Sequence, residues 1–205
     1  MKFYQEITLI DQAEISSYFI WSKLYTQLHL AFAEQKDGNN KVNIGLSFPK
    51  YIYEQGNDTK KFRVHLGDKL RIFAENQADL EKLNILKWLD RLTDYLHVTS
   101  IREVPESKVT GYVVYKRKQV KTNAQRLARH RVKRGDIGFD EALARYSNVV
   151  TTTNLPYIEM GSLSTSDEQA KRRFKLFIEK QFAEKSETQV FSTYGLSSVS
   201  SVPEF

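Results

Sequence analysis

Apolar and polar positions over the first hundred residues alternate between strand spacing and helix spacing. Phe3, Gln5, Ile7 and Leu9 share one face of a strand, with Tyr4 and Ile10 on the other, because side chains in a strand alternate with period two. Trp21, Leu24, Tyr25, Leu28 and Phe32 then recur at helical spacing, and the helix is expected to stop at the turn signal Asp37-Gly38-Asn39-Asn40. Val42, Ile44, Leu46 and Phe48 alternate up to Pro49 and predict a second strand. A third is expected over Lys69–Ala74. Ile85, Trp88, Leu89, Leu92 and Leu96 put a second helix on one stripe, and a strand from about His97 to Val104 precedes Pro105. The order β-α-β-β-α-β is the ferredoxin-like arrangement, an antiparallel sheet with two helices on one face.

The second half starts near Glu106. It reads as a strand over Val109–Lys116, a helix over Ala124–Arg134 and a short helix over Phe139–Tyr146. Strands near Pro156–Leu163, Arg173–Lys180 and Thr188–Tyr194 follow, and Ser197–Phe205 shows no periodicity. The expected class is α+β: a ferredoxin-like domain over residues 1–105, then a second α+β domain over 106–205 that carries an arginine-rich helix. Such a fold hosts many functions and decides no chemistry. The inner strands carry no Lys/Arg-Gly-Phe-Gly-Phe type motif, so stacking of RNA on the sheet face is not indicated.

Composition narrows the picture. The 205 residues contain no cysteine, which excludes disulfides, thiol nucleophiles and thiolate zinc sites. No apolar run approaches the length of a bilayer span, and Met1–Ile10 lacks the basic start and continuous apolar stretch of a secretion signal. A cytoplasmic protein with no membrane contact fits these features.

Charge changes the picture most. The net charge is +6, and ten of the 31 Lys and Arg fall between Lys108 and Gly135, a stretch without Asp or Glu. Outside it, the 25 acidic residues outnumber the remaining basic ones. A localised basic stripe is the footprint of a polyanion site. Thr122 or Asn123 suits an N-cap and Gly135 a stop. At 100° per residue, Ala124, Leu127, Ala128 and Val132 fall on one side of the helix, and Arg126, Arg129, His130 and Lys133 on the other. Arg131 lands among the apolar positions and Arg134 at an edge. A helix packed by one side and cationic on the other suits several phosphates along one groove. Upstream, Arg117 and Gln119 point to the same side of an extended segment. Arg can fork onto guanine and Gln can read adenine, although ordinary exposed polar residues look the same.

No phosphate-cradling Gly-x-x-x-x-Gly-Lys-Ser/Thr and no His-Glu-x-x-His zinc motif is present. No metal or cofactor is expected. RNA permits a metal-free cut, because its own 2′-hydroxyl can attack the adjacent phosphate. The protein then supplies a base, a group that fixes the ribose, and cations near the developing charge. Of His29, His65, His97 and His130, His29 lies about 80° from the centre of its helix's apolar stripe. That boundary suits a titrating base and equally a half-buried structural histidine; spacing alone does not separate them. His65 and His97 have no distinguishing context, and His130 belongs to the cationic ridge.

Several segments, in order, resemble the endoribonuclease that processes CRISPR repeat RNA in type I-F systems, a member of the RAMP superfamily. They are Gln27-Leu28-His29, Ile44-Gly45-Leu46-Ser47-Phe48-Pro49, Arg117-Lys118-Gln119 with the basic helix, Gly161-Ser162-Leu163-Ser164-Thr165, Arg173-Phe174-Lys175-Leu176-Phe177-Ile178, Phe191-Ser192-Thr193-Tyr194-Gly195-Leu196-Ser197 and Val202-Pro203. The resemblance implies that His29 deprotonates the 2′-hydroxyl, Ser162 holds the ribose and Tyr194 supports the histidine. It implies that Phe174 stacks on the terminal base pair of the repeat hairpin. Arg117 and Gln119 would read purines near the stem base. Arg126, Arg129, His130, Lys133 and Arg134 would enter the hairpin's major groove on the basic helix. The implied reaction cuts precursor RNA at the 3′ base of the hairpin, leaving a 2′,3′-cyclic phosphate and a 5′-hydroxyl. The implied partners are the repeat hairpin, retained as mature guide RNA, and the other subunits of the type I-F surveillance complex. His130 and Ala128 stand where family members carry arginine, and Ser197–Ser201 replaces a more glycine-rich loop. The same helix would also serve a non-catalytic RNA-hairpin-binding subunit, and on charge alone a DNA-binding protein.

Overall fold

The computed structural model describes residues 1–54, 56, 62–120, 124–147, 153–161 and 173–205. The first half contains β1 (Phe3–Leu9), α1 (Ser17–Glu34), β2 (Lys41–Val42), β3 (Gly45–Ser47), β4 (Ile52–Glu54), β5 (Arg63–His65), β6 (Lys69–Ala74), α2 (Gln77–Leu83), α3 (Ile85–Trp88), β7 (Leu96–Val98) and β8 (Arg102–Glu103). The second half adds β9 (Gly111–Lys118), α4 (Ala124–Val132), α5 (Phe139–Ser147), β10 (Tyr157–Gly161), β11 (Arg173–Ala183), β12 (Phe191–Ser192) and β13 (Val202–Glu204). The protein is a mixed α+β chain. Among the described residues no helix is long and apolar enough to cross a membrane.

The first sheet runs β3-β6-β1-β7, with β8 also on β1. All its pairings are antiparallel, with Ile7 opposite Leu70 and Leu46 opposite Ile72. These inward positions are the alternating apolar ones, so a one-residue slip would turn them all outward. α1 covers them with Ile20, Trp21, Leu24, Tyr25, Leu28, Ala31 and Phe32. It starts where the Ser16 side chain accepts a hydrogen bond from the Tyr18 N–H. Complete burial of Leu28 and Phe32 stabilises by about 1.5–3 kcal/mol each.

A second sheet, β10-β11-β9-β13, with β10–β11 and β9–β13 antiparallel, shares that core. The join is aromatic. Phe48 touches Trp21 and Tyr25 on one side and Tyr115 of β9 on the other. The Tyr115 hydroxyl donates to the Phe48 carbonyl at 3.0 Å, and the Tyr51 hydroxyl donates to the Ile178 carbonyl at 3.0 Å. Burial pushes both phenols up, Tyr51 to about 12. Ser22 of α1 donates to the Glu159 carbonyl of β10.

The chain divides into two compact units, Met1–Arg117 with Pro156–Phe205, and Lys118–Leu155. This grouping differs from a division near Glu106, because β9 to β13 include three long strands that pack on the first sheet's core. The second unit is an α4–α5 pair. Among its described residues Ala128 and Ala142 are fully buried, and their small size lets the two helices approach closely.

Several elements depart from the periodic pattern. Of the second helix, expected on the stripe from Ile85 to Leu96, only α3 forms. A 3-10 turn over Asp90–Leu92 follows and Leu96 opens β7. α2 lies before that stripe, parted from α3 by Asn84 in the left-handed region with φ 45°, which Asn tolerates better than most residues. The second strand is also split. Lys41–Val42 pairs with β12, while Gly45–Ser47 pairs with β6. The strand expected over His97–Val104 breaks into β7 and β8, and that over Thr188–Tyr194 shrinks to Phe191–Ser192 because a turn follows. Val202–Glu204, without periodicity, is a strand beside β9, with Pro203 opposite Tyr112. An edge strand is where proline is tolerated. The pair β4–β5 was not anticipated.

Candidate active site

His29 lies on the solvent-side border of α1's buried stripe and is half-buried. One α-helical turn earlier, Tyr25 is fully buried. Both reach the same turn of chain after β12. His29 Nδ1 lies 2.8 Å from the Thr193 carbonyl oxygen, and the Tyr25 hydroxyl donates to the Tyr194 carbonyl at 2.8 Å. Residues four apart on a helix face the same way, so two side chains of α1 grip two consecutive peptide groups. Burial, and then the nearby Tyr194, holds the Tyr25 phenol well above its ordinary value. It therefore stays protonated and keeps its donor.

The contact fixes the histidine tautomer. A carbonyl oxygen only accepts, so the neutral ring carries its proton on Nδ1 to make this bond. Nε2 then presents its lone pair, the form a general base needs. The Tyr194 ring lies flat on the imidazole, with centroids 4.1 Å apart and planes 6° from parallel. Hydrogen bond and stack together set the ring's direction and its plane.

The turn is tied down from below. The Gly195 N–H donates to the Ser192 carbonyl at 2.8 Å, and the Ser192 N–H and hydroxyl both donate to the Leu196 carbonyl. The Gly195 carbonyl accepts from the Leu46 N–H of β3 at 3.0 Å. Gly195 has φ 66°, and a Cβ there would sit 2.4 Å from Leu46 Cγ. Only glycine satisfies both the backbone conformation and the space.

Arg117, which ends the first of the two segments of the first unit, joins this cluster. Its guanidinium carbon lies 5.2 Å from the Phe174 ring centroid and 5.6 Å from that of Tyr194. Phe174 stands one residue into β11, opposite Met160. His29, Tyr194, Arg117 and Phe174 thus come together, although 165 positions separate His29 from Tyr194. Ser162 lies outside the described residues, as do Thr122 and Asn123.

In the second unit, α4 ends at Val132. Lys133 and Arg134 therefore sit in a turn that closes on Gly135, which has φ 83°. Arg126, Arg129, His130, Lys133 and Arg134 are exposed, as is Gln119. Arg131, which falls on the apolar side, is accommodated because its guanidinium turns past the helix end to pair with Asp136. Among the described residues, no three His, Asp or Glu come together in a group suited to hold a metal ion.

Comparison with known proteins bears on this arrangement. The model of the family described as CRISPR-associated protein (Cas_Csy4) matches residues 4–205. The chain belongs to that family. A CRISPR-associated endonuclease Cas6/Csy4 of Escherichia coli (strain UTI89 / UPEC) is 34% identical over 207 residues, covering 100% of both chains. Another, of Pseudomonas aeruginosa (strain UCBPP-PA14), is 33% identical over 207 residues with the same full coverage. Membership in the Cas_Csy4 family makes the chain a CRISPR-associated endonuclease. Two solved structures are more distant. An RAMP protein binding different RNA substrates is 13% identical with TM-score 0.34, covering 98% of this chain and 99% of its own. A Cas6-related protein from Pyrococcus furiosus is 8% identical with TM-score 0.34, covering 99% and 98%. At that distance neither adds to the argument.

Residues that the sequence did not single out are Tyr25, Leu46, Thr193 and Gly195. Ser-Thr-Tyr-Gly is a turn signature, and Tyr25 stands four before His29. Those were the available signals.

Proposed function

We propose that this Cas_Csy4 chain is a metal-independent endoribonuclease that cuts CRISPR precursor RNA at the 3′ base of the repeat hairpin. The observation that carries the reading is the His29 ring, stacked on Tyr194 and bonded through Nδ1 to the Thr193 carbonyl. Its free Nε2 takes the proton of the 2′-hydroxyl before the cut. The 2′-oxygen bonds to phosphorus, the bond from phosphorus to the 5′-oxygen breaks, and that oxygen gains a proton. The products are a 2′,3′-cyclic phosphate and a 5′-hydroxyl. Ser162 is assigned the ribose contact on family resemblance alone. Phe174 offers its ring to the terminal base pair, and Arg117 and Gln119 offer donors to purine edges. α4 presents Arg126, Arg129 and His130, followed by Lys133 and Arg134, to phosphates along the hairpin.

The first sheet's order, β3-β6-β1-β7, supports a ferredoxin-like reading of the N-terminal elements. Retention of the product as mature guide RNA, assembly with other surveillance-complex subunits and a cytoplasmic location complete the proposal. The names of the two relatives support its CRISPR setting.

The test is cleavage of the hairpin from the repeats of its own locus in excess EDTA, with end-group analysis. We expect a cyclic phosphate, loss of cutting with a 2′-deoxy nucleotide at the scissile position, and tight binding without cutting by His29→Ala. Cleavage that survives the 2′-deoxy substitution, or that requires a divalent ion, would sink the reading.

A further inference from the structure

Arg117 stands between two aromatic rings with different tasks. Phe174, the second residue of β11, is the ring proposed for the stem end. Tyr194 belongs to the turn that seats His29. The guanidinium lies over both rings, at 5.2 and 5.6 Å from their centroids, and Tyr194 continues the stack onto His29 at 4.1 Å. Four side chains from β9, β11, the post-β12 turn and α1 form one connected series, with the cation in the middle.

We propose that Arg117 is a positioning residue that couples base recognition at the foot of the RNA stem to the pose of His29, in addition to reading that base. This rests on the endoribonuclease reading above. The physical reason lies in the guanidinium. A cation over a ring is held by the ring's quadrupole. A planar guanidinium can do this while its edge still offers N–H donors in a fixed fork. One group therefore touches Tyr194, Phe174 and a base edge together. When the edge finds matching acceptors, the guanidinium is pinned and both rings are held at one spacing. A base without those acceptors leaves the guanidinium on the two rings, where it already lies without RNA, but unpinned, so Tyr194 keeps only the part of its outer support that Arg117 itself supplies. Tyr194 is half-buried against the core and its carbonyl is bonded to Tyr25, while His29 stacks on its ring and the Arg117 cation lies over it. Recognition would then appear in the rate of cutting and not in affinity alone.

A pure reader and a positioning residue predict different results when the base is already unreadable. The experiment uses the full chain and two RNAs: the repeat hairpin, and the same hairpin with 7-deaza-2-aminopurine in place of the purine at the stem base, which lacks both the O6 and the N7 acceptor that Arg117 could read. Single-turnover cutting rate and dissociation constant are measured separately for wild type, Arg117→Ala and Arg117→Lys. We expect Arg117→Ala to cut the 7-deaza RNA at least tenfold more slowly than wild type does, with binding of that RNA changed less than threefold. Arg117→Lys restores the charge without the planar contact and is expected to recover only a small part of the rate. A readout without RNA accompanies it. The Tyr194 ring shifts the His29 ring protons upfield in the NMR spectrum, and Arg117→Ala is expected to move them back. Equal rates for wild type and Arg117→Ala on the 7-deaza RNA, or unmoved His29 signals, overturn the proposal. Failure of the wild type to cut its own hairpin overturns the endoribonuclease reading, and this proposal with it.

Discussion

Replacing Gly195 by alanine strikes the turn that seats the histidine without touching any side chain of the site. Two costs add. Gly195 has φ 66°, and an L-residue in the left-handed region pays about 1–2 kcal/mol. The added Cβ would also lie 2.4 Å from Leu46 Cγ, 2.8 Å from Leu46 Cδ1 and 3.0 Å from Phe32 Cε2. Leu46 and Phe32 are at most 1% exposed and have nowhere to go, so overpacking adds about 1–3 kcal/mol. The total, about 2–5 kcal/mol, is a large fraction of the roughly 5–15 kcal/mol that holds a domain folded. Part of it can be relieved by moving the turn, which displaces the Thr193 carbonyl and the Tyr194 ring. Misplacement by about 1 Å costs on the order of 100-fold in rate. Urea unfolding with an unchanged slope measures the stability, and single-turnover cleavage measures the seat. A second variant separates the two costs. Leu46→Ala alone costs about 2–5 kcal/mol through its cavity. Combined with Gly195→Ala, it removes the two Leu46 contacts but leaves the 3.0 Å approach to Phe32 Cε2 and the backbone strain. The pair should be less than additive by the Leu46 part of the overpacking share, at most about 1–3 kcal/mol. A Gly195→Ala protein within about 0.5 kcal/mol of wild type, the scatter of neutral surface changes, or strict additivity in the pair, would refute the reasoning.

Two further outcomes follow from charge. Burial pushes the Glu6 carboxyl up, but hydrogen bonds from Lys69 and Arg71 outweigh it and leave it below its usual 4.5. Its stabilising contribution is full above about pH 4.5 and is lost as pH falls through the lower folded value. Glu6→Gln should therefore lower stability at neutral pH and flatten that part of the acid limb; an unchanged limb in a pH series of urea unfolding would count against it. On α4, Arg129→Ala should weaken hairpin binding and reduce the salt slope of log K by about 1. An unchanged slope across a potassium chloride titration would show that Arg129 touches no phosphate.

The strands and first helix were legible because each buries one face, and a one-sided element writes its period into the sequence. Ile7 and Leu46 are inward both by alternation and in the sheet. The pattern failed where backbone, not side-chain burial, sets the geometry. The stripe from Ile85 to Leu96 reads as one helix, but α3 stops at Trp88, a 3-10 turn spans Asp90–Leu92 and Leu96 opens β7, because the backbone changes direction without changing composition. Val202–Glu204 pairs through main-chain hydrogen bonds at a sheet edge, where alternation is not required.

The site shows the same division, and it explains why periodicity left His29 undecided. What distinguishes a base from a half-buried structural histidine is the partner of Nδ1 and what lies on the ring face. Here the partner is a peptide carbonyl, which every residue has, so no residue type marks it. It is placed by Gly195, by the Leu46 N–H of β3 and by the buried Tyr25 hydroxyl, from three segments far apart in the chain. Tyr194 was reached by resemblance, but its parallel stacking at 4.1 Å is a distance no spacing rule contains. Arg117 was singled out as a base reader, and that reading looked only outward. Its second face, against Phe174 and Tyr194, exists only once β9 lies between β11 and β13 in the second sheet. A residue whose type suits one task can acquire another from the topology that surrounds it. The test of Arg117 therefore turns on a substrate from which the first task has been removed.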